Sequence, residues 1–348
     1  MPDDAQSAQP LVGWESDQVI SDRYRVNELV HRSASCHLYL VTDVFRSQTH
    51  LALRPSPETL AEEGGREWFA RFARAALAVP FHPNLLPCRR LDKSDDIPYL
   101  VMDDVGGERW SSAIRKGHLL DLRSMLSVAI QAGQALAWLH ANGHVHANMK
   151  PANAIITDAG VLKVLKYGES DALTRAYASP EQLAGADALT PATDMWSWAA
   201  CVLHTFVGVV TWTHEMSAPE ALDNYLEYGP ATPETSLMPV GVVDLLRRCF
   251  EEDPDARPSD MEEVVAVVED VYQDATNSPF ELPEEAFEPL ATSPENDDFE
   301  LEQPAHQEPD CEPEPEEPAH DEAPKPPERR RYTPNRPEHR RGDRRRPR

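Results

Sequence analysis

The stretch HVHANMKPANAII, residues 144–156, decides the fold class of this chain. It is a polar loop, with two histidines and a Lys-Pro pair, that runs into a short apolar segment of the kind that forms a strand. The next residues, TDAGVLKVLKYG (157–168), place a turn-forming Asp-Ala-Gly before a second apolar run. The two segments therefore predict a polar loop followed by a β-hairpin.

The hydrophobic period changes once along the chain. Between Tyr24 and Met102, short apolar alternations are separated by turns, with one helical stretch at 67–79. From Leu119 the period is helical, and Asp121 and Gly143 are the candidate cap and stop of the first long helix. Further helices are predicted at 194–209, 240–252 and 259–273. The predicted class is α+β, with a small β-rich lobe and a larger helical lobe.

Composition excludes several classes of protein. Acidic residues (60) outnumber basic ones (33), so the molecule as a whole should repel nucleic acid and anionic membranes. The five cysteines are scattered without a C-x-x-C pair, which predicts reduced thiols rather than a zinc site or a disulfide framework. The first residues do not have the pattern of a signal peptide. The longest apolar run, 195–212, contains Ser197, His204 and Thr205 and predicts a buried helix. A cytoplasmic location without membrane contact is expected.

The C-terminal part differs in composition from the rest. After about Ala275 the chain is rich in Pro and Glu and has too few apolar residues to form a core, so we predict disorder. The last twenty residues contain ten arginines. We predict that this segment folds back loosely on acidic parts of the chain and binds nucleic acid weakly, or is a solvated tail without a partner. The predicted domains are an N-terminal extension (1–22), the small lobe (23–103), the large lobe (104–273), the acidic Pro-rich segment (274–328) and the Arg-rich tail (329–348).

Several motifs together resemble those of the eukaryotic-type Ser/Thr protein kinases in their bacterial form, from about Arg23 to Val271. DMWSWAACVLHTFVG (194–208) resembles a helix of that family in which Asp194 would brace the catalytic loop through backbone N–H groups. YASPEQL (177–183) and DPDARPS (253–259) supply Glu181 and Arg257, which the resemblance implies are a buried ion pair. The resemblance implies a bilobal protein-kinase-like fold.

The residues aligned with the nucleotide site of that family are replaced. His31, Ser33 and Cys36 stand at the three glycines of the phosphate-binding loop, where a Cβ obstructs the close approach of the backbone. An ordinary polar β-turn is the simpler interpretation. In LALR (51–54), Arg54 takes the place of the phosphate-pairing lysine, and the glutamate expected on the helix of the small lobe falls near Ala73. The implied nucleotide site is degenerate.

The catalytic positions are also altered. His146, Lys150 and the metal-binding Asn153 persist in the loop, but Asn148 replaces the catalytic aspartate, and an amide cannot accept a proton. Lys166 replaces the aspartate that holds Mg²⁺, which should repel the metal. Lys166 could instead stand in for the metal beside a bound anion, or be an ordinary surface or ion-paired lysine. No metal or other cofactor is expected, and ATP binding is not favoured.

Two further groups of side chains belong to this region. The imidazoles of His140, His144 and His146 are close in sequence, but the first and last match positions that pack in the core of the family, so a metal cluster is not favoured. Thr174 and Tyr177 match the end of the activation segment and are predicted to pin that segment rather than to bind substrate.

The sequence thus predicts a degenerate member of the kinase family, a pseudokinase that binds an unidentified protein as a scaffold or regulator. Two alternatives stay open. One is a weak or unorthodox ATP-dependent Ser/Thr kinase-like transferase. The other is a binder of nucleic acid or acidic proteins through Arg329–Arg348.

Overall fold

The structure is a computed structural model that describes residues 13–165, 174–186, 188–212 and 216–287. Its small lobe is a six-stranded antiparallel sheet in the order β1-β2-β3-β4-β6-β5. The strands are β1 Val19–Ile20, β2 Tyr24–Arg32, β3 Cys36–Asp43, β4 Thr49–Pro55, β5 Cys88–Ser94 and β6 Ile97–Asp103. Two helices follow β4, a short α1 (Pro57–Ala61) and α2 (Gly65–Ala78), where the sequence predicts one.

The two faces of this sheet are both apolar. Side chains alternate along a strand, so residues two apart share a face. Leu38, Leu53 and Met102 lie on the inner face, in one buried cluster with α2 and the large lobe. Tyr39 and Val101 lie on the outer face, in a second cluster. Trp14 covers this outer cluster, and its ring centroid lies 5.0 Å from that of Tyr39 and 5.1 Å from that of Tyr99.

The large lobe is helical, as the sequence predicts. Its helices are α3 Trp110–Lys116, α4 Leu122–Ala141, α5 Pro180–Leu183, α6 Pro191–Val207, α7 Ala218–Tyr228, α8 Val240–Cys249 and α9 Met261–Thr276. A three-stranded sheet of β7 (Glu108–Arg109), β8 (Ala154–Ile156) and β9 (Leu162–Val164) lies beside them. The predicted hairpin is confirmed by the antiparallel pairing of β8 with β9.

Two helices form the centre of the large lobe. Helix α4 begins at the predicted cap, where an Asp121 carboxylate oxygen accepts from Ser124 N at 2.9 Å. The apolar run predicted as a buried helix contributes most of α6, in which Trp198 and Cys201 are fully buried. Within the described ranges, no helix has both the length and the apolar character that a membrane crossing requires.

A buried polar network joins the lobes. Asn84, from the loop before β5, donates through Nδ2 to Gln131 Oε1 on α4 (2.9 Å) and to the carbonyl of Leu162 (3.0 Å). Gln131 Oε1 also accepts from Leu162 N at 2.7 Å. Asn84 and Gln131 are both fully buried. The small lobe, α4 and the hairpin are therefore held in one arrangement.

The ordered chain extends beyond the predicted boundary at residue 273. Helix α9 continues to Thr276, and the Phe280 ring lies 5.4 Å from the Tyr272 ring, edge to face. Ala286, in a 3-10 turn, is fully buried. The Pro- and Glu-rich composition misled the prediction, because a few apolar side chains suffice to anchor this segment to a surface already formed. The remainder of the predicted disordered segment, and the Arg-rich tail 329–348, lie outside the described residues.

Candidate functional site

The loop 144–153 is braced from below by Asp194, at the N-terminal end of α6. Its fully buried carboxylate accepts from the backbone N–H groups of His146 (Oδ2, 2.7 Å) and Ala147 (Oδ1, 2.8 Å). His140 Nε2 also lies 2.8 Å from Asp194 Oδ2. The bracing that the sequence predicts for Asp194 is therefore present. One buried carboxylate accepts the hydrogen bonds that position the loop.

Ala147 adopts a backbone conformation that non-glycine residues rarely use. Its φ is +57°, in the left-handed region. Hydrogen bonds on both sides hold it there, since its N–H donates to Asp194 and its carbonyl accepts from Gln182 Nε2 at 2.8 Å. The role of Gln182 is not signalled by the sequence, because α5 meets the loop only in the folded chain.

The polar residues retained in the loop form hydrogen bonds with the loop itself and with two neighbouring segments. Asn153 is buried, and its Nδ2 donates to the carbonyl of Asn148 at 2.8 Å. His146 is fully buried, with Nε2 3.1 Å from the carbonyl of Leu165, and burial lowers its pKa. Lys150 Nζ donates to Thr174 Oγ1 at 2.8 Å, and burial lowers the pKa of this ammonium as well.

The segment 174–179 is pinned at several points. Tyr177 OH lies 2.9 Å from His204 Nδ1 on α6, and the Tyr177 carbonyl accepts from Ser197 Oγ at 2.8 Å. Trp212 Nε1 donates to the carbonyl of Ala176 at 2.7 Å. Burial lowers the pKa of His204 to about 4 and raises that of Tyr177, so a neutral phenol and a neutral imidazole share this hydrogen bond. The prediction that Thr174 and Tyr177 pin the segment is confirmed by these contacts.

Glu181 and Arg257 form the predicted ion pair. Arg257 Nη1 and Nη2 each donate to a different Glu181 carboxylate oxygen at 2.8 Å, in a bidentate arrangement. The Arg257 side chain is fully buried, and that of Glu181 is 16% exposed. Burial is the largest single effect and opposes ionisation, but hydrogen bonds from Arg257, the Glu181 backbone N–H and Ser179, with the charge of Arg257, together hold the pKa of Glu181 at about 2. Arg257 also lies over the Trp196 ring, 5.3 Å from its centroid.

The turn between β2 and β3, where the sequence places Ser33 and Cys36 at glycine positions, is closed by its own atoms. Ser33 N donates to the carbonyl of Cys36 at 2.9 Å, and Cys36 N donates to Ser33 Oγ at 3.1 Å. His31 lies just before the turn, in β2, paired with Leu38. The connection is therefore a short polar one that is closed by its own hydrogen bonds, and the β-turn that the sequence favours stays a prediction.

This turn is also tied to the start of α1. Ser56 N donates to the carbonyl of Ser35 at 2.8 Å, and Ser56 Oγ donates to the carbonyl of Ala34. Thr59 Oγ1 donates to the carbonyl of Ser35 at 3.0 Å. The two carbonyls at the tip of the turn are thereby fixed to a buried helix cap.

The structure corrects the predicted position of Arg54. On β4, Leu51 and Leu53 face inward, and Ala52 and Arg54 face outward. Arg54 Cζ lies 5.1 Å from the Trp14 ring centroid, away from the cleft between the lobes. Because the side-chain period of a strand is two, an alignment shifted by one residue reverses the face of every side chain. Leu53 lies on the inner face of β4, where the sequence alignment places the side chain of Arg54.

At the position where the sequence predicts a missing glutamate, helix α2 has no carboxylate facing the inner side of β4. Ala73, the predicted position of the missing glutamate, is fully buried in the same cluster as Leu53. The inner face of β4 and the facing side of α2 are therefore both apolar at these two positions.

Some of the predicted positions are not open to structural description. Lys166 lies outside the described residues, so the replacement of the metal-binding aspartate rests on the sequence. Among the residues that are described, no three His, Cys, Asp or Glu side chains are grouped to hold a metal ion.

With this geometry established, the chain can be assigned to a family. Residues 73–272 match the family model of the protein kinase domain, and the chain belongs to this family. Curated relatives are serine/threonine-protein kinases of bacteria. PknA of Mycobacterium tuberculosis is 27% identical over 260 residues, which cover 68% of this chain and 58% of PknA. PrkC of Bacillus subtilis is 25% identical over 269 residues, which cover 73% of this chain and 41% of PrkC.

Other comparisons agree on the fold. A probable serine/threonine-protein kinase of Clostridium acetobutylicum is 24% identical over 277 residues, covering 74% of this chain and 41% of that protein. The chain thus spans about two fifths of the length of this relative and of PrkC. The crystal structure of the PknI kinase domain of M. tuberculosis superposes with a TM-score of 0.61 at 21% identity, covering 74% of this chain and 99% of that domain. The predicted bilobal kinase-like fold is confirmed.

Proposed function

We propose that this kinase-family domain does not transfer phosphate and acts instead as a protein-binding scaffold or regulator. The observation that carries the proposal is the apolar character of Leu53 and Ala73, which are both buried in the inner cluster. In the family, the corresponding strand and helix supply a lysine and a glutamate that position the phosphates of ATP. Here both positions are apolar and buried together, and the cation of β4 points to the opposite face of the sheet.

The turn at 33–36 supports the same conclusion. Backbone N–H groups of this turn would have to bind phosphate oxygens in an active kinase. Two of them, at Ser33 and Cys36, are bonded within the turn, and the tip carbonyls are tied to Ser56 and Thr59. Such a turn would have to break these bonds before it could cradle phosphates.

The chemistry of the remaining positions points the same way. Asn148 cannot act as a general base, and Lys166 would repel a divalent cation. The Nδ2 group of Asn153 is bonded to the backbone of the loop. The residues of this chain therefore fit a Mg²⁺–nucleotide complex poorly, and we propose that neither Mg²⁺ nor ATP is a cofactor.

The framework that holds the large lobe is complete, which supports a binding role. Asp194 braces the loop, and Glu181 pairs with Arg257 in a bidentate arrangement. Buried charges of this kind are costly unless each keeps its partner. A chain that retains these buried charge pairs has a rigid large lobe. We propose that the surface of this lobe binds the protein partner. The cytoplasmic location is part of this proposal, since the cysteines are scattered along the sequence without a C-x-x-C pair.

A weak or unorthodox kinase is the alternative. It draws on Lys150, which contacts Thr174 as a loop lysine and an activation-segment threonine could in an active enzyme. It also draws on the names of the relatives, which are kinases.

A phosphotransfer assay separates the two. Purified full-length protein is incubated with radiolabelled ATP, Mg²⁺ or Mn²⁺ and a generic protein substrate, beside a Lys150→Ala, Asn153→Ala variant. The proposal expects equal incorporation in both samples. Incorporation by the unaltered protein that the variant abolishes would establish the transferase.

A further inference from the structure

Large apolar side chains are exposed on the large lobe where α7 ends and α8 begins. They are Leu226, Tyr228, Leu237 and Val240, with 45%, 76%, 69% and 75% of their surface exposed. We call these four residues the α7–α8 surface. Of the six large apolar side chains exposed in the described part of the large lobe (104–273), four belong to it. Single exposed apolar residues are ordinary, but a group of this kind marks a site of interaction.

The α7–α8 surface rests on a fixed base. Tyr225 and Met238, each next to one of the exposed residues, are buried, and Met238 N donates to Tyr225 OH at 2.8 Å. This bond holds the chain before α8 against the last turns of α7. The two segments that carry the exposed side chains are therefore held to each other through buried neighbours.

The rim of the surface is acidic. Asp223 and Glu227 lie on the exposed side of α7, Glu234 precedes Leu237, and Asp244 is one helical turn after Val240 on α8. All four are exposed. Arg247 is the nearby cation on α8, and it lies 3.5 Å from Asp223. The rim thus carries an excess of negative charge around an apolar centre.

We propose that the α7–α8 surface docks a protein segment with apolar anchors flanked by Lys or Arg, such as one face of a basic amphipathic helix. Apolar side chains of the segment would cover Tyr228 and Leu237, and its cations would meet the acidic rim. A second copy of this chain would bring the same acidic rim against itself, and an anionic membrane would be repelled. The inference rests on the proposed protein-binding role and names the chemistry of the partner.

The test uses two labelled peptides of about 18 residues, or five helical turns. One has a Leu/Lys amphipathic pattern, and the other has Glu in place of every Lys. Binding to the full-length protein is followed by fluorescence anisotropy at low and at physiological salt. We expect the Leu/Lys peptide to bind, with an affinity that falls as salt rises, and the Leu/Glu peptide not to bind.

Two variants locate the binding. Tyr228→Ser with Leu237→Ser removes the centre of the surface, and Phe45→Ser with Phe81→Ser removes two comparably exposed rings in the small lobe (77% and 57% exposed). The first variant should weaken the Leu/Lys peptide by about tenfold or more, and the second should leave its affinity unchanged. Equal melting temperatures would show that neither change unfolds the protein.

Three results would overturn the inference. The first is unchanged affinity in the Tyr228, Leu237 variant, and the second is equal binding of the Leu/Glu peptide. The third is a dimer of the unaltered protein in sedimentation that this variant dissociates, which would make the surface a contact between copies. The phosphotransfer assay is independent of all three, so loss of this inference and loss of the inactive-kinase proposal can be told apart.

Discussion

Arg54 Cζ lies 5.1 Å from the centroid of the Trp14 ring, on the outer face of the small sheet. This contact ties the strand that should serve the nucleotide to a residue near the start of the chain. Burial lowers the pKa of Arg54, and the electron-rich face of the indole offsets part of the cost of burying the cation. Arg54 is therefore part of the packing of the outer cluster, and the inner face of β4 is left to Leu51 and Leu53.

Leu53→Lys should destabilise the protein by about 3 kcal/mol or more, because the new ammonium is buried without a partner. Adding Ala73→Glu should recover part of this loss, since α2 packs against β4. Chemical denaturation of the two single variants and the double variant measures the coupling. Leu29→Lys, at a half-exposed position of β2, is the control and should change stability by less than about 0.5 kcal/mol. A Leu53→Lys protein as stable as the control would mean that this position opens to solvent.

Ser56→Ala should cost more than the loss of a helix cap. Ser56 caps α1 and also donates to the carbonyl of Ala34, whereas Ser217 caps α7 at an exposed position. We expect about 1 kcal/mol for Ser217→Ala and about 2–3 kcal/mol for Ser56→Ala, which leaves a carbonyl of the turn without its donor. Faster amide exchange at 33–36 should accompany the second change. Equal costs and unchanged exchange would show that Ser56 does not hold the turn.

Glu181→Ala and Arg257→Ala should each destabilise the large lobe by about 3–5 kcal/mol, since each leaves the other charge unpaired. Arg248→Ala breaks an exposed pair with Glu263 and should cost at most about 1 kcal/mol. Because the pKa of Glu181 is lowered to about 2, its contribution is complete above about pH 4.5 and is lost as the pH falls towards 2. Melting temperatures measured across this pH range test whether stability falls as the pH is lowered. Unchanged melting temperatures in both variants would contradict the buried pair.

His82 and His204, two half-buried histidines, should contribute to a sensitivity of the protein to mild acid. Burial lowers the pKa of His82 and of His204 to about 4, and nearby Lys163 lowers that of His82 further in the same direction. An unfolded histidine takes up its proton near pH 6.5, so stability is complete above that pH and falls as the pH drops towards 4, by about 2 kcal/mol for each residue.

His204→Asn separates this effect from others, because an amide can form a hydrogen bond with Tyr177 OH in either direction but does not titrate. The variant should lose less stability than the unaltered protein between pH 6.5 and 4.5, a window above the titration of Glu181. Denaturation at pH 7.5 gives the direct cost of the substitution. Parallel curves for the two proteins would rule out His204 as a source of the acid sensitivity.

Millimolar ATP, with or without Mg²⁺ or Mn²⁺, should leave the melting temperature unchanged. A ligand at 100 times its dissociation constant would stabilise the folded state by about 2.7 kcal/mol, which a thermal-shift series detects easily. An active bacterial Ser/Thr kinase domain, measured in parallel, is the positive control. A metal-dependent increase for this protein would mean that the turn at 33–36 opens to admit a nucleotide.

The fold and the framework of the large lobe can be predicted from the sequence, because each framework residue can be recognised without knowledge of the others. Asp194, Glu181 and Arg257 each sit in a distinctive local motif, and the structure brings them to their expected partners. The faces of the strands in the small lobe are harder to predict, because they depend on the register. The predicted face of Arg54 is wrong by one residue along β4, and no local signal in LALR distinguishes the two registers.

Contacts between distant segments were also beyond the sequence. Trp14 covers the outer face of the sheet from a segment that carries no strand pattern, and Ser56 reaches back to the turn at Ala34. The Phe280 ring contacts the Tyr272 ring, although the residues on either side of Phe280 are Pro279 and Glu281. Each of these depends on a surface formed by other parts of the chain, which periodicity does not describe.

The paired Leu53 and Ala73 bear on how this chain can evolve. Two apolar residues in one core are as compatible as a lysine with its glutamate, so the two states are both stable, whereas a chain with only one of the charges carries an uncompensated ion. A change to lysine alone or to glutamate alone would place an uncompensated ion in this core. The two apolar residues can therefore be replaced by the charged pair only if both positions change nearly together, while the rest of the surface is free to vary.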